Sequence, residues 1–235
     1  MIYFFTYGDS NYENSKKRIQ QEAIRMEFDD VKIYGREDIS QEFLEKTKPY
    51  IDMRRGGGYW LWKPYFLKKT FDMMNEGDYC IYADAGCHLN PNGLQRLKWY
   101  LETLDINDSG ILSFAIQPEA EYTNEKVFEF FGIDKNSDVR KTRQYLATIL
   151  YMRKCENTVN LVNEFYDIAI NNGDLFTDIH NEYKRTQQFK DHRHDQSIFS
   201  MLRKKHKSIV IPDETYALNW NDLMHVPILA TRIRG

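Results

Sequence analysis

The chain has 235 residues and a formal net charge of −3, which suits one large α/β domain and gives no global basic field of the kind that attracts nucleic acid. Its 42% hydrophobic and 14% aromatic content excludes a disordered chain, and no run approaches the roughly 18 apolar residues of a membrane span. Cys80, Cys87 and Cys155 form an odd set without metal-ligand spacing, and MIYFFTYGDS lacks a basic leader, so the expectation is a protein of the reducing cytoplasm.

Ile2–Thr6 is an apolar run suited to a buried strand, closed by Tyr7-Gly8-Asp9-Ser10-Asn11. Ser15–Phe28 predicts a helix on the stripe Ile19, Ala23, Ile24 and Met26, and Val31–Tyr34 a second strand. Ser40–Lys48 predicts a helix with Ser40 as N-cap. Arg54–Tyr59 is too rich in glycine to be regular, whereas Pro64–Asn75 suits a helix with Pro64 in its first turn. Tyr79–Ala83 is the next strand, and Asn90-Pro91 opens a helix to about Leu104. Ile111–Ile116 reads as strand, Thr123–Phe131 as helix, Tyr145–Met152 as strand and Cys155–Asn171 as helix. Asp195–Lys205 is a further helix and Ile209–Ile211 a short strand, and from Pro212 the chain is expected to be irregular.

Strands and helices alternating at this spacing imply a mainly parallel central sheet with helices on both faces. Such sheets bind ligands at the carboxyl ends of their strands. Thr6-Tyr7-Gly8 and Asp84-Ala85-Gly86 are expected together at that edge.

Three stretches carry chemistry. In GDYCIYADAGCH, residues 77–88, a lone carboxylate ends a buried strand beside two residues with almost no side chain. Asp84 can hold Mg²⁺ or Mn²⁺ there, or simply make a turn with its own backbone. In RRGGGYWLWKPYFLKK, residues 54–69, Arg54 and Arg55 suit a diphosphate, Tyr59, Trp60 and Trp62 offer flat faces, and Lys63 stands just before a helix start. A flexible loop with two core tryptophans is the plain alternative. In HRHDQS, Asp195 is either an N-cap or, with Gln196, a group aimed at a reacting sugar carbon, and His192 and His194 form a candidate zinc pair. His225, in a late loop, gains meaning only beside an established metal.

In this order the pieces resemble GT-A-type nucleotide-sugar glycosyltransferases, in which a strand ends in a D-x-D motif after a helix whose start meets the nucleotide. KPYFLKKTFDMMNEGDYCIYADAG follows that layout, with the helix start at Lys63-Pro64 and then Gly77, Tyr82 and Asp84. HDQS is similar to the family's later D-Q element near the anomeric carbon, and His225 falls where several members supply a metal-binding histidine. Gly86 stands where the second acid would be, so the metal loses one protein ligand, and metal-independent catalysis, with Arg54, Arg55 or Lys63 countering the phosphate charge, is the open alternative.

The resemblance implies a Rossmann-like GT-A domain spanning 1–235, its donor-binding part about 1–116 and its acceptor part about 117–235. It implies transfer from a nucleotide-diphosphate sugar to a glycan or other hydroxyl acceptor, assisted by Mn²⁺ or Mg²⁺ on Asp84 and His225, with retention suggested by the D-Q element. Donor binding falls to Thr6, Tyr7, Gly8, Arg54, Arg55, Trp62, Lys63, Asp84, Ala85 and Gly86, and catalysis to Asp195 and Gln196. The rivals are a metal-dependent hydrolase on His192, His194 and Asp195, and a carbohydrate-binding protein on the Tyr59–Trp62 aromatics.

Overall fold

The structure, a computed structural model, describes residues 1–233. Its centre is a seven-stranded sheet containing β1 (Ile2–Tyr7), β2 (Asp30–Tyr34), β3 (Tyr79–Ala83), β5 (Ile111–Pro118), β6 (Arg143–Tyr145), β7 (Ile149–Arg153) and β8 (Ile209–Pro212). A separate two-stranded pair joins β4 (His88–Leu89) to β9 (Ile228–Leu229). The path runs β2-β1-β3-β7-β5-β6, with β8 on the other edge of β5. β1, β2, β3, β5 and β8 point one way, while β6 and β7 run against them. The sheet is thus mainly parallel in direction, with two reversed strands beside β5.

Pleating sorts the side chains into two cores. Tyr3, Phe5, Tyr7, Cys80 and Tyr82 face the helices Trp62–Met73, Glu156–Asn171 and Asp195–Lys205 through Phe66, Phe165 and Phe199. Phe4, Ile81 and Ala83 face Glu13–Arg25 and Leu94–Asp105 through Ile19, Ala23, Leu97 and Tyr100. Burying a phenylalanine contributes about 1.5–3 kcal/mol, so Phe4 and Phe5, fully buried on opposite faces, hold β1 in register. The same two-residue period places Asp84 on the Tyr82 side of β3, toward the Trp62–Met73 helix.

Several expected elements differ in outline. The strand expected over Tyr145–Met152 is two strands, both pairing with β5 and separated by Leu146-Ala147-Thr148. The helix expected over Thr123–Phe131 is found as Glu125–Phe130, capped by Asn124, whose side chain accepts from Val127 N–H, and a further short helix, Glu119–Tyr122, precedes it. Arg54–Tyr59 is not shapeless: positive φ at Gly56, Gly57, Gly58, Tyr59 and Trp60 makes one left-handed turn, closed by Tyr59 N–H donating to Arg55 O at 2.7 Å. The segment after Pro212 includes β9, which ties it to β4. No helix among the described residues is long and apolar enough to cross a membrane. The three cysteines are free and buried.

Candidate functional site

Four elements converge on the ammonium of Lys63. The left-handed turn delivers the chain into the Trp62–Met73 helix, and Lys63, its second residue, is only 2% exposed. Its Nζ donates to Ala147 O at 3.0 Å and forms ion pairs with Asp195 Oδ2 at 2.6 Å and Asp84 Oδ1 at 3.5 Å, so three oxygens surround the charge. Asp84 ends β3, Asp195 begins the Asp195–Lys205 helix, and Ala147 lies in the gap between β6 and β7. Burial works against the charge on Lys63, but Asp195 and Asp84 outweigh it and raise its pKa. For Asp195, burial raises the carboxyl above its usual range, with Lys63 opposing and the Asp84 charge adding.

The surrounding atoms are committed. Tyr82 donates a short hydrogen bond to Asp84 Oδ1, and burial, then Asp84, pushes its phenol well above the usual value. Asp84 N–H donates to Thr148 O at 2.9 Å, continuing the β3–β7 ladder. Gln196 is used at both ends: its Oε1 accepts from Ala147 N–H at 3.2 Å, and its Nε2 donates to Gln144 Oε1 at 2.6 Å. Gln144, fully buried, in turn donates to Glu119 Oε1 and Thr123 Oγ1, both at 3.1 Å. The Gln196 amide therefore holds the Leu146-Ala147-Thr148 gap in place.

Around this centre lie two adjoining clefts. One, of about 450 Å³, is lined by Arg55, Lys63, Asp84, Arg193, Asp195 and Arg232, with Trp60, Ala147, His194 and Gln196 also in its wall. The other, of about 430 Å³, is lined by Tyr7, Gly8, Asp9, Arg54, Gly57 and Trp62, and shares Tyr12, Trp60, Asp84 and Gly86 with the first. Tyr7 and Trp62 stack with ring centroids 4.1 Å apart, and Trp62 Nε1 donates to Gly56 O at 3.0 Å. Beside this shelf the Tyr7 hydroxyl is buried without a hydrogen-bond partner, and burial, aided by Asp9, pushes its pKa up to about 12.

The sequence-derived set is largely gathered here. Tyr7, Gly8, Arg54, Arg55, Trp62, Lys63, Asp84, Ala85, Gly86, Asp195 and Gln196 all line one cleft or the other. Thr6 does not, being fully buried on the Phe4 side of β1. His225 is exposed and lines neither cleft. Asp195 is the first residue of its helix, and the N-cap position belongs to His194, so capping does not explain its carboxylate. Lys63 lies inside the helix and pairs with carboxylates, which removes it as a free anion site at an exposed helix start.

The groups of the two rival readings are engaged elsewhere. His192 is fully buried with Nε2 on Leu175 O at 2.9 Å, and His194 places Nδ1 on Phe176 O at 2.8 Å, so each ring spends one nitrogen on the Gly173–Phe176 turn. No group of three His, Cys, Asp or Glu suited to a metal ion occurs among the described residues. The expected aromatic platform is folded inward. Tyr59 OH donates to Asp178 at 3.0 Å, Trp60 stacks on His194 at 5.0 Å, and Trp62 is covered by Tyr7.

Sequence reasoning missed Arg193 and Arg232. Arg193 lies between the two histidines and was within reach of a charge reading, whereas Arg232 enters only because β4 and β9 pair and carry the C-terminal segment across Gly86. There Ile233 N–H donates to Gly86 O at 2.8 Å, and Thr231 Oγ1 donates to the same oxygen at 2.9 Å. A Cβ on Gly86 would stand 3.3 Å from Arg232 Cα, so the position of the second acid is walled by backbone. Beneath it, Arg18 donates to Ala85 O at 2.9 Å and Cys87 O at 2.8 Å, fixing the turn from below.

No family model matches the chain, and no curated protein matches it. Among solved structures the chain is similar to a glycosyltransferase involved in glycosylation of the major capsid of PBCV-1, at 7% identity and a TM-score of 0.47, covering 97% of this chain and 92% of that one. It is similar also to mouse xyloside xylosyltransferase 1, at 9% identity and a TM-score of 0.48, covering 97% of each chain. A third is the galactosyltransferase LgtC in complex with donor and acceptor sugar analogues, at 11% identity and a TM-score of 0.48, covering 97% of this chain and 86% of that one.

Proposed function

We propose that the protein is a glycosyltransferase that moves a sugar from a nucleotide-diphosphate donor to a glycan or other hydroxyl acceptor. The observation that carries this reading is the joined pair of clefts. The stacked Tyr7–Trp62 pair and Arg54 line one cleft, Arg55, Arg193, Arg232 and the Lys63-held Asp195 line the other, and Asp84 and Gly86 belong to both. Together the two clefts offer groups suited to the three parts of such a donor. The base lies against the edge of the Tyr7–Trp62 pair, whose facing rings are spent on each other, the diphosphate among the arginines, and the sugar against Asp195. Residues about 1–116 bind the base side of the donor on this reading, and about 117–235 supply Arg193, Asp195 and Arg232 to the donor and complete the acceptor side.

Transfer breaks the bond between the anomeric carbon and the diphosphate oxygen, whose electron pair leaves with the diphosphate, and forms a bond from the acceptor hydroxyl oxygen to that carbon. Cations held in place before reaction stabilise that charge as it grows. The anomeric carbon turns positive at the same moment, and the Asp195 carboxylate, fixed by Lys63 and desolvated, stabilises it by the logic of glycoside cleavage. An inverting enzyme needs a free carboxylate to take the acceptor proton. The two carboxylates lining the sugar end, Asp84 and Asp195, both lie against Lys63, which favours retention with the acceptor proton passing to the departing diphosphate.

A panel of nucleotide sugars, read first by thermal shift and then by release of nucleoside diphosphate, tests the reading. Asp84→Ala is expected to lose about 10²-fold or more in turnover. Its fold should persist at a modest cost of about 1–3 kcal/mol, because the buried Tyr82 hydroxyl loses its acceptor while the Asp84 side chain is 36% exposed and Lys63 keeps Asp195 and Ala147 O. Proton NMR of the first-formed product reads the anomeric outcome. Release of no nucleoside diphosphate from any donor would refute the proposal.

A further inference from the structure

The resemblance to GT-A enzymes brings with it a divalent ion on two acids and a histidine, and the residues present do not suit one. Asp84 Oδ1 already accepts from Tyr82 and faces the Lys63 ammonium at 3.5 Å. The place of the second acid is Gly86, closed over by the backbone of Arg232 and Ile233. The histidine, His225, is exposed outside the cleft. The lining carries four cationic side chains, Arg55, Lys63, Arg193 and Arg232, against two carboxylates, Asp84 and Asp195. Asp178 and Asp191 offset Arg55 and Arg193, which leaves Arg232, and Arg54 of the adjoining cleft, as the cations open to a diphosphate.

The cations are not equivalent. Lys63 is spent on Asp195 and Asp84. Arg55 sits 2.6 Å from Asp178 Oδ2, and Arg193 3.4 Å from Asp191 Oδ2. Arg232 is exposed, lines the cleft beside Asp84 and Gly86, and has no carboxylate partner among the described residues. Its backbone is held at φ 56° by the hydrogen bonds that flank it on Gly86 O, a left-handed conformation that a non-glycine residue seldom adopts. We infer that Arg232, carried by the C-terminal segment across Gly86, neutralises the leaving diphosphate in place of a divalent ion, so that donor binding and transfer are metal-independent. The inference rests on the sugar-transfer reading. It makes Arg232 a catalytic residue of that reaction, with a planar guanidinium able to grip two phosphate oxygens at once.

The test uses the full chain and the donor that the panel identifies. Turnover is measured in excess chelator and again with added Mn²⁺ or Mg²⁺, and the corresponding nucleoside diphosphate is titrated calorimetrically in chelator. Wild-type turnover in chelator is expected within about twofold of that with metal. Arg232→Ala should lose about 10²-fold in turnover and weaken the nucleoside diphosphate about tenfold, at an unchanged melting temperature. Arg232→Lys should recover part of both, because it restores charge without the bidentate grip. Abolition of wild-type turnover by chelator, with rescue by Mn²⁺, would overturn the inference and leave the sugar-transfer reading standing. Normal turnover and affinity in Arg232→Ala would overturn it as well. If no donor is bound or consumed under any metal condition, the underlying reading fails and the inference falls with it.

Discussion

Lys63 Nζ and Asp195 Oδ2 lie 2.6 Å apart with neither side chain more than 7% exposed, which makes this pair the joint between the Trp62–Met73 helix and the Asp195–Lys205 helix. A buried pair is costly to break from one side, because the partner is left charged and dry. Lys63→Met is expected to destabilise the fold by about 3–5 kcal/mol, lowering the melting temperature by on the order of 10 °C in a domain of this size. The double variant Lys63→Met/Asp195→Leu removes both charges together and should regain most of that loss while remaining inactive. Thermal denaturation of the two variants at neutral pH checks the pair. Equal melting temperatures for single and double variants would show that the ion pair is not the joint.

Gln196 predicts a different signature. Its amide accepts from Ala147 N–H and donates to Gln144 Oε1. In Gln196→Glu a carboxylate oxygen replaces the donor and faces Gln144 Oε1, and Gln144 cannot turn because its Nε2 already serves Glu119 and Thr123. The expected cost is about 1–3 kcal/mol of stability, with turnover reduced through displacement of the Leu146-Ala147-Thr148 gap. Stability and turnover should therefore fall together across Gln196→Glu and Gln196→Ala. An inactive Gln196→Ala of unchanged stability would instead place Gln196 directly against the sugar.

The contrast between these residues marks what the sequence made legible. Local signals worked where one period or one cap decides the outcome: the runs of β1 and β3 and the Asp195–Lys205 helix appear where expected, and Ser40 caps its helix by accepting from Phe43 N–H. The gathering of Asp84, Lys63 and Asp195 also followed, since in a mainly parallel sheet the strand ends meet at one edge. What stayed hidden depends on contacts distant in the chain. Ala147 enters the site because β5 receives β6 and β7 on one edge, and Arg232 because β9 pairs with β4. The glycine run was read as irregular since composition shows which φ values are permitted but not the hand of the turn they build.

That turn gives a prediction separating space from backbone strain. Gly58 and Gly77 both have positive φ, 99° and 85°, so a Cβ at either costs about 1–2 kcal/mol in backbone conformation. Nothing lies within 4 Å of a Cβ at Gly77, whereas at Gly58 it would meet Ile51 O at 2.4 Å. Gly77→Ala should therefore lose only the conformational cost. Gly58→Ala should lose a further 1–3 kcal/mol or so through overpacking, and with it the placement of Trp60 between the clefts. Urea denaturation of both variants, beside nucleotide binding, reads the difference. Equal losses would mean that the turn yields around the methyl group.

His192 and His194 fix the expected response to acid. Burial, with His194 adding, pushes the His192 pKa down to about 3, and burial, opposed by Asp178, pushes that of His194 down to about 4. Unfolded, both titrate near the ordinary value of about 6.5. Between about pH 6.5 and pH 4 the unfolded chain therefore binds protons that the folded chain refuses. Stability is complete above that range and falls as the pH drops through it, by up to about 1.4 kcal/mol per pH unit for each histidine. Asp195 has the opposite sign, since its raised carboxyl favours the folded state at low pH and offsets part of the slope. Urea denaturation at several values from about pH 6.5 to pH 4.5 should show a fall steeper than one proton accounts for, and His192→Asn should remove about one proton's worth of it. A slope unchanged by that substitution would place the acid sensitivity elsewhere in the chain.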